Sequence, residues 1–269
     1  MCLFKKMILE RNFENSPKEE SEKKEESKKK EESEKKDIFT LKDLEEEVKK
    51  LEKPSQRVEF LLSKIDNLIF PNKPISVEKL QQLIVEGIPV RACYSFDLEI
   101  DKNTQEKKIK DEKYRINEEF LDTREIDIPT CFNIALHEIR HRIQKFKEII
   151  KEENFEIFTK KEFENFIKEN LPQIINEEDY KIIIKYLDFK EKIGGIDDEV
   201  DAILIGTACE TLFRKEKEIP LSKIIEIMKN DKKEEVLEII KNNLEIFLKE
   251  VIPSKIKSRF FGEFDNKPR

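Results

Sequence analysis

The sequence predicts a predominantly helical α+β fold, with a small β-hairpin or sheet placed before a long central helix. Two observations favour this class. Apolar residues recur at helical spacing through most of the chain beyond residue 36, and one stretch, residues 90–116, is β-prone on both sides of a turn. The chain has 269 residues, of which 42% are charged and 37% hydrophobic. That length suits one large domain or two small ones.

The first 36 residues differ in composition from the rest. Residues 18–35 read KEESEK, KEESKK and KEESEK, with seven Lys, eight Glu and no apolar residue. A repeat of six matches neither period of a packed helix, and a segment without apolar residues has nothing to bury. We therefore expect residues 1–36 to form a charged, disordered tail and residues 37–269 to form the domain.

Helical periodicity opens the domain. Residues 41–53 and 55–69 carry apolar residues at helical spacing, and Pro54 separates them. Ser76 then precedes VEKLQQLIVE, and Gly87 follows it, so we expect a third helix with Ser76 as its N-cap and Gly87 at its end.

A β-prone region comes next. Residues 90–100 favour a strand, residues 101–104 a turn, and residues 107–116 a hairpin partner. Residues 124–128 read REIDI, an alternation that predicts one further short strand.

The long central helix is expected to start at Pro129 or Thr130 and to run to about Glu152. Gly194 and Gly195 break the chain before a later helix. Periodicity predicts further helices over residues 160–170, 177–189, 198–213, 221–229 and 234–251.

The charge balance argues against nucleic-acid binding. The formal net charge is -7, and the tail carries eleven Lys or Arg and ten Asp or Glu, which leaves -8 on residues 37–269. An acidic domain without a basic stripe lacks the electrostatic footprint of a nucleic-acid binder.

No stretch approaches the roughly 18–20 apolar residues of a membrane span. Residues 1–13 contain too short an apolar run for a signal peptide. We expect a cytoplasmic protein without a membrane span. Its four cysteines are widely spaced and never form C-x-x-C, which argues against a disulfide framework and a zinc ribbon.

The strongest functional signal lies in the central helix, which reads NIALHEIRHR over residues 133–142. The chain has two histidines, His137 and His141, and they flank Glu138 in a His-Glu-x-x-His motif. Two histidines placed at random fall four apart in roughly 0.7% of chains of this length. On a helix this spacing puts both imidazoles on one face, where one divalent ion can take both.

This motif resembles that of the zincin metallopeptidases. The resemblance covers roughly 30 residues and implies that His137 and His141 bind Zn²⁺ and that Glu138 is the general base that takes a proton from water. It implies a zinc-dependent hydrolase that acts on a peptide or protein substrate. A set of two histidines and a carboxylate suits zinc, yet it also suits iron or manganese.

The third metal ligand is open to a carboxylate or a cysteine, because no other histidine exists. The absence of that histidine, and of a glycine in RIQKFKEII after His141, excludes the long metzincin motif. Residues 194–210 read GGIDDEVDAILIGTACE and resemble the second helix of the glutamate-zincins, which implies Glu199 as a ligand. Ile203 stands where that family often has Asp. The alternatives are Asp198, Asp201 and Glu210.

Other roles are less determined by the sequence. We interpret Arg140 and Arg142 as members of surface ion pairs, and Gln144 as a polar residue at the edge of the core rather than a substrate contact. Candidate donors to a developing oxyanion are Tyr94, Tyr114, Tyr180, Tyr186 and Arg140.

A rival hypothesis is a helical scaffold or interaction protein with a structural metal or none. Structural zinc has four closed protein ligands, often thiolates. Such a site would need Cys131 or Cys209 in addition to the histidines.

Overall fold

A computed structural model of the chain describes residues 39–82, 84–85, 88–101, 107–152, 155–170, 195–229 and 232–244, with the single positions 181, 184 and 188. The predicted tail, the turn after residue 101, most of the helix predicted over residues 177–189 and the end of the last predicted helix lie outside these residues.

The described elements follow one another as helices, then strands, then helices. Their bounds are α1 Leu41–Val48, α2 Pro54–Ile69, β1 Ser76–Leu80, β2 Ile84–Val85, β3 Ile88–Pro89, β4 Ala92–Ile100, β5 Lys107–Asn117, α3 Glu118–Asp122, α4 Ile128–Ile150, α5 Lys160–Asn170, α6 Ile196–Lys215, α7 Leu221–Lys229 and α8 Lys233–Lys241. The predicted class, a predominantly helical α+β fold with a small sheet before the motif helix, is confirmed.

The main sheet has the strand order β1-β5-β4. Strands β4 and β5 form the predicted antiparallel hairpin, with Tyr94 opposite Tyr114 and a register shift between Ser95 and Asp97. Strand β1 pairs parallel to β5, with Val77 also beside Tyr114. Strands β2 and β3 form a separate antiparallel pair.

The prediction of a helix after Ser76 is wrong, because residues 76–80 form strand β1. Backbone pairing with β5 replaces local helical hydrogen bonds, and Glu78 adds contacts across the strands with Arg115 at 3.1 Å and Lys113 at 3.5 Å. The apolar spacing that favoured a helix is a weak local signal, which this non-local pairing overrides.

The strand predicted over residues 124–128 is also wrong. The segment before α4 is irregular, and Asp127 is the N-cap of the helix, where its side chain accepts from the Thr130 N–H at 2.9 Å. Pro129 lies in the first turn, as its missing N–H favours. The helix therefore begins at Ile128, one or two residues earlier than predicted.

Helix α4 is the centre of the core. Phe132, Leu136 and Ile139 are fully buried on it. It packs against α2 on one side and runs antiparallel to α6 on another, since Asn133 contacts Glu210 near one end of the pair and Gln144 contacts Asp201 near the other. Strand β4 also contacts α4, so the sheet approaches the motif helix directly.

No helix among the described residues combines the length and apolar character needed to cross a membrane.

Candidate metal centre

Two histidines and one carboxylate converge between α4 and α6. The Nε2 atoms of His137 and His141 are 3.1 Å apart, one helical turn from each other on α4. Glu199 reaches them from the first turn of α6, with Oε1 3.8 Å from His137 Nε2 and Oε2 3.6 Å from His141 Nε2. Among the described residues these are the three side chains whose ligand atoms form a potential metal site, all within 4.8 Å of one another.

The spacing of these atoms fits a small divalent ion. Zinc bonds of about 2.0–2.2 Å in a tetrahedron put neighbouring ligand atoms about 3.3–3.6 Å apart. The two Nε2 atoms are 3.1 Å apart, and each lies 3.6–3.8 Å from a different oxygen of Glu199, so the three side chains are close to the spacing that one ion needs. Side chains of His137, His141 and Glu199 are 20%, 21% and 19% exposed, so the cluster is reachable from solvent, as a catalytic metal with an open position requires.

The start of α6 directs Glu199 toward α4. Gly195 is the N-cap and has φ of 69°, a left-handed conformation that favours glycine. Asp197 then accepts from the backbone N–H of Lys160 at 2.7 Å, and Asp198 pairs with Lys145 at 3.2 Å. These contacts hold the first turn of α6 to its neighbours, with Glu199 facing the histidines.

The other carboxylates considered as third ligands have different partners. Asp198 pairs with Lys145, and Asp201 is buried against Arg140 at 2.6 Å. Glu210 is fully buried and accepts from Asn133 at 2.7 Å and from Arg214 at 2.5 Å. None of the three belongs to the described ligand group.

Glu138, between the two histidines in the sequence, contacts strand β4. Its side chain is 6% exposed, and Oε2 accepts from the backbone N–H of Tyr94, in strand β4, at 2.8 Å. Strand β4 therefore fixes the carboxylate that the sequence resemblance led us to expect as general base.

His141 favours its protonated form in the metal-free protein. Burial lowers its pKa, but the hydrogen bond and charge of Glu199, with the charge of Glu138, outweigh burial and raise the pKa of His141 to about 9.

A buried polar chain begins at the other ring nitrogen of His141. Nδ1 lies 2.9 Å from Gln144 Oε1, and Gln144 Nε2 donates to Asp201 Oδ2 at 2.7 Å and to the carbonyl of Asp198 at 2.8 Å. Arg140 donates to both oxygens of Asp201 at 2.6 and 3.2 Å. This chain of contacts was not predicted from the sequence, although Gln144 lies one turn beyond His141 on the same helix.

The predicted surface position of Arg140 and Arg142 is wrong, although both do form ion pairs. They are 1% and 2% exposed. Arg142 pairs with Asp66 at 2.5 Å and Glu112 at 2.8 Å. A buried guanidinium needs such partners, because an unpaired charge inside the protein is very costly.

The described candidates for oxyanion donors already have partners within the protein. The Tyr114 hydroxyl is buried and donates to Asp66 at 2.7 Å, and the Tyr94 hydroxyl donates to Glu112 at 3.0 Å. Arg140 is buried with Asp201. Tyr180 and Tyr186 lie outside the described residues.

Comparisons with protein-family models, curated protein sequences and solved structures found no match for this chain. The geometry of the site is therefore the basis for any functional inference.

Proposed function

We propose that this chain is a zinc-dependent hydrolase, specifically a metallopeptidase of the glutamate-zincin kind. In this proposal His137, His141 and Glu199 hold the metal, and Glu138 is the general base. One observation carries the proposal: ligand atoms from two helices converge within 4.8 Å at a His-Glu-x-x-His motif.

Each residue has a definable task in this proposal. Zn²⁺ bound there would supply Lewis-acid chemistry, which activates water and polarises a carbonyl group. The two Nε2 atoms supply neutral ligands, and Glu199 supplies one negative charge. Glu138 takes and returns a proton, and its hydrogen bond from the Tyr94 N–H keeps the carboxylate in place while it does so.

The position of β4 favours a peptide as substrate. In the described sheet β4 is an outer strand, and its Tyr94 contacts the general base. Outer strands pair readily with extended peptides through backbone hydrogen bonds. A peptide aligned along β4 would lie beside Glu138.

The test is the zinc content of the purified full-length protein and of three variants. We expect about one zinc per chain in the wild type, and loss of zinc in His141→Ala and in Glu199→Ala. Glu218→Gln is the control, since it removes one acidic charge from an exposed pair with Lys42 and no proposed ligand, and it should keep the zinc.

Two results would change the proposal. Zinc retained in Glu199→Ala but lost in His141→Ala would reject Glu199 and require another third ligand. No zinc in the wild type, even after incubation with zinc, would reject the hydrolase and favour the helical scaffold.

A further inference from the structure

Gln144 connects a proposed metal ligand to a buried ion pair. It is 3% exposed, its Oε1 faces His141 Nδ1 at 2.9 Å, and its Nε2 faces Asp201. A side chain so enclosed acts on its protein neighbours rather than on a substrate.

The orientation of the Gln144 amide is determined by its surroundings. The NH₂ group faces two oxygen acceptors, Asp201 Oδ2 at 2.7 Å and the Asp198 carbonyl at 2.8 Å. An amide NH₂ has two donors, so both acceptors are satisfied. The flipped amide would place its own oxygen against both acceptor oxygens, a repulsive and costly arrangement for buried groups.

Asp201 is in turn fixed as an acceptor. Arg140 donates to Oδ2 at 2.6 Å and to Oδ1 at 3.2 Å, and the backbone N–H of Phe158 donates to Oδ1 at 3.1 Å. Arg140 and Asp201 are each 1% exposed. Arg140 is itself anchored by the carbonyl of Met228 at 2.6 Å. The two oxygens of Asp201 are thus both occupied by donors, and the carboxylate faces Gln144 as an acceptor.

Asp201 fixes the orientation of the Gln144 amide, and the amide in turn fixes the position of the proton on the His141 ring. Because the amide cannot flip, its oxygen is the group that meets His141 Nδ1, and an oxygen acceptor requires a proton on that nitrogen. Gln144 Oε1, at 2.9 Å from Nδ1, is a closer acceptor than Glu199 Oε2, at 3.6 Å from Nε2, so the single proton of the neutral ring is assigned to Nδ1 and the lone pair to Nε2.

We propose that Gln144 is a positioning residue that fixes His141 as the tautomer protonated on Nδ1, so that Nε2 is the metal-binding atom. This inference rests on the proposed function for its purpose, but the tautomer can be measured without any metal. Residues that orient metal-binding histidines through their second nitrogen typically change metal affinity about 10- to 100-fold when they are removed.

The test uses ¹⁵N NMR of the imidazole rings in the full-length protein. The chain has two histidines, so the spectrum contains only four ring nitrogens. The metal-free protein is brought to a pH at which the ring ¹⁵N shifts themselves show that His141 is neutral. We expect His141 to be protonated on Nδ1, whereas free histidine favours a proton on Nε2.

The second measurement is zinc affinity in Gln144→Met, which keeps the length of the side chain but replaces the amide by a thioether that is only a weak acceptor and donates nothing. We expect the Kd for zinc to rise about 10- to 100-fold. Thr211→Val is the control, because it removes a buried hydrogen bond to the Thr207 carbonyl on α6 without touching the site. Its Kd should stay within about 2-fold of the wild type.

The outcomes separate this inference from the proposed function. A proton on Nε2 of neutral His141 in the wild type would overturn the positioning role, and so would an unchanged Kd in Gln144→Met. If the wild type binds no zinc, the proposed function fails, and the metal-free spectrum alone decides the tautomer. If Gln144→Met does not fold, the wild-type spectrum decides likewise.

Discussion

Asn133 Oδ1 lies 2.5 Å from the position that a Cβ atom on Gly206 would occupy. Helices α4 and α6 therefore approach closely at this point, and Asn133 also donates to Glu210 on α6 at 2.7 Å. The contact is one helical turn from His137. The distance between the two helices that carry the proposed ligands thus depends on a glycine.

Gly206→Ala should destabilise the protein. The added methyl group would force Asn133 to turn away from Glu210, and overpacking of this kind costs about 1–3 kcal/mol, against about 1 kcal/mol gained in helix propensity. Denaturant unfolding measures the difference in unfolding free energy between the variant and the wild type. Asn133→Ala combined with Gly206→Ala should recover part of the loss, whereas simple additivity of the two changes would show that they do not clash.

Glu138→Gln should keep the metal and lose the activity. The glutamine oxygen can still accept from the Tyr94 N–H, so the side chain keeps its place, but it cannot take up a proton. We expect peptide hydrolysis to fall about 10²- to 10⁴-fold with zinc content unchanged. A fluorogenic peptide library measures the rate, and chelator-treated wild type is the control. Equal rates in the variant and the wild type would reject Glu138 as the base.

Asp201→Asn should weaken the fold strongly. It removes the carboxylate charge from a buried pair in which Arg140 is 1% exposed, and breaking a buried pair from one side costs about 3–5 kcal/mol. Glu218→Gln is the control, since it breaks the exposed pair with Lys42 and should change the free energy of unfolding by less than about 1 kcal/mol. Similar losses of unfolding free energy in both variants would show that burial of the ion pair does not determine its contribution to stability.

Zinc binding should release about one proton from His141 at pH 7–8. The pKa of this histidine is raised from 6.5 to about 9, so its protonation stabilises the metal-free fold fully below pH 6.5, and this contribution is lost as the pH rises through about 9. Zinc must displace the proton, so its apparent affinity should increase with pH up to about 9. Calorimetry of zinc binding in buffers of different ionisation enthalpy gives the number of protons released. A binding heat that does not depend on the buffer would contradict proton release.

Cys131→Ala and Cys209→Ala should each retain the zinc. Both thiols are fully buried, burial raises the pKa of each to about 12, and neither belongs to the described ligand group. We expect a loss of about 1 kcal/mol in unfolding free energy from the lost packing. Loss of zinc from either variant would instead favour a structural site closed by a thiolate.

The fold was predictable wherever the signal was local. Pro54 marked the start of α2, and apolar periodicity gave α5 and α7 with the bounds that the structure has. Strand β1 was missed because its partner, β5, begins about thirty residues later and no local signal marks the pairing. The alternation in residues 124–128 was misleading, since Asp127 serves as a helix cap.

In the candidate site, too, the local features were predictable and the contacts with distant residues were not. The proximity of His137 and His141 follows from helical spacing alone. Glu199 as a ligand remains a prediction, although the structure brings its carboxylate to both histidines. The burial of Arg140 was not predictable, because charged side chains are usually exposed and its partner Asp201 is 61 positions away.

The distance along the chain between His141 and Glu199 has a consequence for folding. They are 58 positions apart, and an ion held by both would act as a cross-link that closes this loop. A covalent link across a loop of that size removes roughly 4 kcal/mol of chain entropy from the unfolded state. A coordinate cross-link would act in the same direction, so the melting temperature of this chain would depend on the concentration of free zinc.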